Sequence, residues 1–153
     1  MTAAVVFANS FDGERARLRG LAYRMLGSMA DADDVVQEAW LRWQRLGDEG
    51  RAAVERPPAW FTTTVSRLAL DMLRSAHRRR EEYVGPWLPE PILTDRHPAV
   101  PGGGDPAATA ELAESITLGF LTVLERLGPV DRAVFLLVDV FGEPYAQVAA
   151  VVG

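Results

Sequence analysis

PPAWFTTTVSRLALDMLRSAHRRR, residues 57–80, joins a helix-period apolar stripe to the densest positive charge in the chain. Two prolines can open a helix, where a missing N–H costs nothing, and no breaker follows them. Phe61, Val65, Leu68 and Met72 recur at helical spacing and form one stripe that needs a core to pack against. Trp60, Thr64, Arg67, Asp71, Arg74 and Arg78 repeat the same spacing from one residue earlier, and this polar face runs into His77, Arg78, Arg79 and Arg80. Guanidinium groups beside an aromatic ring suit a phosphate backbone and an unstacked base. The same pattern also fits a solvated basic helix end that complements the helix dipole.

Outward from this stretch, helix-period patterns recur and strand signals are scarce, so the reading is all-α: two small helical domains joined by a Pro/Gly-rich linker. The 153 residues are long enough to bury a core, and 48% of them are hydrophobic. The chain has no cysteine and two distant histidines, which excludes disulfides and thiolate metal sites and leads us to expect no metal and no cofactor. We also expect no enzyme activity, since no nucleophile–base set or phosphate-cradling loop can be assembled; PGGGDP at residues 101–106 lacks a preceding strand. The N-terminal apolar patch has no basic leader and no apolar run approaches membrane-spanning length, so we expect a cytoplasmic protein with no membrane contact. Net charge is −5, but its distribution is uneven: residues 1–82 hold 13 Arg against 12 acids, residues 83–153 hold 3 against 9.

Taken in order, a first helix is predicted over residues 10–26, with Phe11, Leu18, Leu21, Ala22, Met25 and Leu26 inward and Arg15, Arg17, Arg19 and Arg24 outward. Gly27 and Ser28 close it. In MADADDVVQEAWLRWQRL, residues 29–46, Asp31 is the expected N-cap, and Val36, Ala39, Trp40, Trp43 and Leu46 form the buried side. That leaves Asp34, Gln37, Glu38, Leu41 and Arg42 near the surface, an acidic face that is either a docking surface or an ordinary capped helix. GDEGRAAVER, residues 47–56, reads as a loop.

The succession LRGLAYRMLGSMADADDVVQEAWLRW, a short loop, then PPAWFTTTVSRLALDMLRSAHRRR resembles region two of bacterial extracytoplasmic-function (ECF) sigma factors. The resemblance covers most of residues 8–82. It implies that Asp31, Asp34, Gln37, Glu38 and Leu41 contact core RNA polymerase. It implies that the 47–56 loop with Trp60, Thr63, Thr64 and Arg67 meets the non-template single strand of the minus-ten promoter element, and that Arg74, His77, Arg78, Arg79 and Arg80 meet phosphates.

Residues 83–107 form the expected linker, with four prolines between Pro86 and Pro98. Its YVGPWLPEP is similar to the linker of a SigJ-like subfamily whose members usually carry a C-terminal SnoaL-like domain. Trp87 is either an anchor for such a domain or packed on its own helices. Residues 108–153 resemble part of sigma region four. One helix presents Leu112, Ile116, Phe120 or Gly119, Val123, Leu124 and Leu127; a second, apolar one lies in PVDRAVFLLVDVFG with Pro129 at N1; a third turns Tyr145, Val148, Ala149 and Val152 inward. The resemblance stops before a recognition helix, so the chain is expected to be a truncated version of a longer protein. Regulation by a fused C-terminal domain or an anti-sigma factor is left open. The expected function is a sigma factor that directs promoter opening; the alternative is a helical protein-interaction module that binds polymerase or a regulator without productive DNA recognition.

Overall fold

The computed structural model describes residues 3–81 and 119–153, with the side chains of residues 11–77 and 119–153. The 83–107 linker with Trp87, the positions of Leu112 and Ile116, and the side chains of Arg78, Arg79 and Arg80 lie outside the described residues. All regular structure among the described residues is helical.

Helix α1 spans Ala3–Leu26, starting well before the expected residue 10. It ends where Gly27 turns to φ 75 and donates its N–H to the Tyr23 carbonyl at 2.7 Å, a left-handed geometry that glycine adopts without strain. The next residue, Ser28, is extended, and its hydroxyl accepts the Asp31 N–H at 3.2 Å. Ser28 is therefore the N-cap of α2 (Met29–Arg45), and Asp31 sits in the first turn, where its charge faces the positive end of the dipole. The 47–56 segment is not wholly a loop: α3 (Gly47–Ala52) occupies half of it, with Asp48 and Glu49 in its first turn and an Arg51–Asp48 pair at 2.7 Å.

Helix α4 (Pro57–Glu81) carries the deciding stretch as one uninterrupted rod. Its buried arc is Phe61, Thr62, Val65, Ser66, Ala69, Leu70 and Leu73. Phe61 and Val65 stand as expected, but Leu68 and Met72 lie on the flank and Leu70 and Leu73 take the centre. The arc is rotated because two hydroxyl residues are turned inward. Thr62 is satisfied there: it donates to the Pro58 carbonyl at 3.0 Å and accepts from Arg17 Nη2 at 2.6 Å. Ser66 is fully buried, and its hydroxyl has no hydrogen-bond partner. Since an unsatisfied buried polar group costs about 1–3 kcal/mol, Ser66→Ala is expected to raise stability by about 1 kcal/mol, read as a higher denaturant midpoint at unchanged m-value. A lower midpoint would show that the hydroxyl finds a partner in solution.

Phe61 is the hub of the α1–α2–α4 core. Its ring lies 4.8 Å from Phe11, 5.3 Å from Trp43 and 5.1 Å from Trp60, while Phe11 stacks on Trp40 at 4.6 Å. All six residues assigned inward on α1 are buried. On α2, Val36, Ala39 and Trp43 are buried with Val35, whereas Leu46 is exposed because the helix has already ended.

The C-terminal segment begins in α5, helical over residues 119–126, where Leu121 and Leu124 are buried and Val123, expected inward, is 56% exposed. Helix α6 (Pro129–Phe135), with Pro129 in its first turn, runs into a π-helical turn, Leu136–Val140. There the Phe141 N–H reaches the Leu136 carbonyl at 3.0 Å. Gly142 at φ 66 then closes the helix as an αL cap, its N–H on the Val138 carbonyl, with the Glu143 N–H on Leu137. Helix α7 (Tyr145–Val152) buries Val148 and Val151; Tyr145 and Ala149, expected inward, face solvent.

These C-terminal side chains join the same contiguous core as α1, α2 and α4. The deepest polar tie is Arg132, 2% exposed, which donates to the Met25 carbonyl in the last turn of α1 at 2.8 Å and lies 3.3 Å from Glu125. Among the described residues, no helix is long and apolar enough to cross a membrane, and no group of three His, Cys, Asp or Glu side chains is placed to hold a metal ion.

Candidate nucleic-acid interface

The polar face of α4 is graded along its length. Trp60 is half-buried, edge-on to Trp43 at 5.3 Å, so its indole belongs in part to the aromatic core. Thr63 and Thr64 are half-buried, Arg67 and His77 are exposed, and Arg74 is half-buried beside Asp71 at 4.0 Å. The helix backbone continues to Glu81, which carries Arg78, Arg79 and Arg80 onward in the same rod. An α-helix sets residues three and four apart on one side, so Trp60, Thr64, Arg67 and Arg74 share a face as their spacing requires.

The structure brings to this face something that sequence spacing did not show. Arg67 donates from Nε to the Ala150 carbonyl at 3.0 Å and from Nη2 to the same oxygen, and Arg74 Nη2 reaches the Val152 carbonyl at 3.4 Å. Gln147 Nε2 lies 3.4 Å from the Ala59 carbonyl. Arg17, expected to point outward, instead bridges Glu14 at 2.7 Å, Thr62 at 2.6 Å and Glu143 at 3.5 Å, tying α1, α4 and the approach to α7. Arg24 places its guanidinium 5.9 Å from the Phe141 ring centroid.

On α2, Asp34 and Gln37 are exposed, and Asp31, Glu38 and Leu41 are half-buried along the same outer side. Glu38 accepts from Arg42 Nε at 2.9 Å and lies 3.5 Å from Arg45 Nη1. The hydrogen bond from Arg42, reinforced by the Arg45 charge, holds its carboxyl below the usual carboxylate range, so it stays ionised at neutral pH. Asp33 is engaged by Arg19 at 2.7 Å. Between α1 and α2, a shallow cleft of about 250 Å³ opens over Phe11, Asp12, Arg15, Val36, Gln37 and Trp40.

Three helices packed on an aromatic hub, one presenting an acidic outer side and the last an arginine-bearing rod, define the class of the N-terminal part. Residues 11–79 match the family model described as Sigma-70 region 2. The chain as a whole resembles ECF sigma factors of the SigJ kind. It is 47% identical over 145 residues to "ECF RNA polymerase sigma factor SigJ" of Mycobacterium tuberculosis, covering 95% of this chain and 44% of that protein. It is 39% identical over 143 residues to "Probable ECF RNA polymerase sigma factor SigI" of the same species, covering 91% and 45%. With "Ferric citrate uptake sigma factor FecI" of Escherichia coli it shares 26% identity over 153 residues, covering 99% and 81%. The chain thus spans less than half the length of SigJ and SigI. No solved structure matches it.

Proposed function

We propose that the chain acts as an ECF-type sigma factor, docking on core RNA polymerase through α2 and capturing the non-template strand of the minus-ten element with α4. The observation that carries this reading is the Sigma-70 region 2 match over residues 11–79, coincident with a bundle whose last helix, α4, exposes Arg67 and His77. In this reading Asp31, Asp34, Gln37, Glu38 and Leu41 face polymerase. Trp60, Thr63, Thr64 and Arg67 meet bases, and Arg74, His77, Arg78, Arg79 and Arg80 meet phosphates. Capture of unstacked bases favours the melted promoter because the protein binds it more tightly than duplex. Residues 8–82 form the region-two unit, 83–107 the linker and 108–153 part of region four, working in the cytoplasm. The regulators that fit are an anti-sigma factor or a further C-terminal domain.

The test is transcription from a cognate promoter by core polymerase with and without the protein. Dependence of open-complex formation on the protein is expected. Polymerase binding without transcription would select the second reading, an interaction module without productive DNA recognition, which the contact of α7 with Arg67 and Arg74 favours. For the polymerase face, Asp34→Arg is the cleaner probe, because Glu38 already serves Arg42 on its own helix. Reversing the exposed Asp34 is expected to cost about 1.5–3 kcal/mol of polymerase affinity, with helix content and melting temperature unchanged. Undiminished affinity in a pull-down titration would remove α2 from the interface.

A further inference from the structure

Polar side chains along α1 and α2 mostly find partners within the bundle: Glu14 holds Arg17 at 2.7 Å, Asp33 holds Arg19 at 2.7 Å and Glu38 holds Arg42 at 2.9 Å. Three do not. Asp12 and Arg15 stand three apart on α1, a spacing at which opposite charges ordinarily pair. Yet among the described residues neither makes an ion pair or a hydrogen bond, and nor does Gln37 on α2. All three are exposed, and all three line the cleft of about 250 Å³ between these helices. Its apolar side is Val36 and the half-buried Trp40, with Phe11 stacked on the Trp40 ring at 4.6 Å and 24°. The cleft thus offers a flat aromatic surface edged by an acceptor, a cation and an amide that both donates and accepts. Among the described residues, none from α4 lines it.

We infer that this cleft is a binding site for a purine nucleotide, with the base stacked on Trp40, its hydrogen-bonding edge on Asp12 or Gln37 and its phosphate on Arg15. Aromatic side chains hold free bases by stacking, and a purine covers more of an indole than a pyrimidine does. The volume lies below the roughly 300–1,000 Å³ of sites that enclose a drug-sized ligand, so one ring system enters and the sugar phosphate stays at the mouth. There the exposed Arg15 guanidinium can turn two parallel N–H groups to the phosphate. Asp12 repels the phosphate and accepts from ring N–H groups, which sets the ligand in one orientation. The adjacent N–H groups of guanine suit the carboxylate, whereas the N6–N7 edge of adenine suits the Gln37 amide. The site is separate from the proposed DNA-contacting face of α4 and does not depend on it.

The test uses the full chain and two probes, guanosine and adenosine 5′-monophosphate, each titrated into the millimolar range. Binding is followed by NMR through the Trp40 indole N–H, assigned with Trp40→Phe, and the Gln37 side-chain amide. Saturable shifts of both groups are expected with at least one probe. Arg15→Ala, a change at an exposed position, is expected to weaken that nucleotide about tenfold and to leave the corresponding nucleoside unchanged. For the guanine probe Asp12→Asn is expected to weaken binding as well, and for the adenine probe Gln37→Ala. Absence of saturable shifts with both nucleotides overturns the inference. Equal shifts with inorganic phosphate also overturn it, since they would reduce the site to Arg15 alone. Nucleotide binding that is unaltered by Arg15→Ala, Asp12→Asn and Gln37→Ala would place the ligand on other basic residues and overturn it too.

Discussion

Replacing Arg132 by Ala is expected to lower the unfolding free energy by about 3–5 kcal/mol, the range for breaking a buried charge pair by removing one partner. Three losses combine. The Met25 carbonyl, at the end of α1, loses a donor at 2.8 Å; Glu125, itself largely buried, loses a cation at 3.3 Å; and a long side chain is removed from a closely packed site. Arg132→Met keeps most of the volume and removes only the polar contacts, so it should recover part of the loss. Against a total of about 5–15 kcal/mol for an ordinary domain the alanine variant is close to unfolding. Urea titration followed by helix signal gives the comparison. A change of less than about 1 kcal/mol would mean that the guanidinium is replaced by water and that the C-terminal helices are not anchored through it. A fall in m-value would instead show residues 119–153 detaching from α1 before the rest unfolds.

Arg132 also marks where sequence reading stops. The stripe Arg132, Ala133, Leu136, Leu137 has helical spacing, and its one charged member was a signal that a guanidinium would be buried and paired. Which carbonyl it would serve depends on how α6 lies against α1, and spacing carries no information about that. The inward face of α1 was legible because Leu18, Leu21 and Met25 recur at three- and four-residue spacing, flanked by Ala22 and Leu26, with Phe11 two turns earlier on the same face. The face of α4 was misphased by a few residues because Thr62 and Ser66 count as polar although both are buried. The N-cap of α2 fell three residues late because Ser28 and Asp31 are both capping types, and only the backbone, extended at Ser28, separates them. Helix α3 is too short to display a period. The grouping of Trp60, Thr64, Arg67 and Arg74 follows from one uninterrupted helix and was readable in advance. Their engagement by α7 was not, because the acceptors are main-chain carbonyls, which leave no trace in residue type.

Replacing Arg78, Arg79 and Arg80 together by Ala is expected to weaken holoenzyme binding to every minus-ten sequence alike, on the order of a hundredfold near 0.1 M salt. The reason is counterion release. Each phosphate contact frees about 0.7 ion from a single strand and about 0.9 from duplex, so three lost contacts lower the slope of log affinity against log salt by about 2–3. The three residues extend the α4 rod beyond Arg74, at its basic end, where a strand would be followed by its backbone rather than its bases. Arg67→Ala is expected to behave differently. Arg67 stands one turn from Thr63 and Thr64 and two from Trp60, so its loss should change which minus-ten sequences are used and leave the salt slope almost unaltered. It also removes two hydrogen bonds to the Ala150 carbonyl, so its helix content and melting temperature are compared with the parent chain's. Open-complex formation on a panel of minus-ten variants at several salt concentrations separates these effects. A triple variant that shifts sequence preference at constant slope, or an Arg67→Ala variant that scales every promoter equally, would show that bases and phosphates are not divided between the two ends of α4.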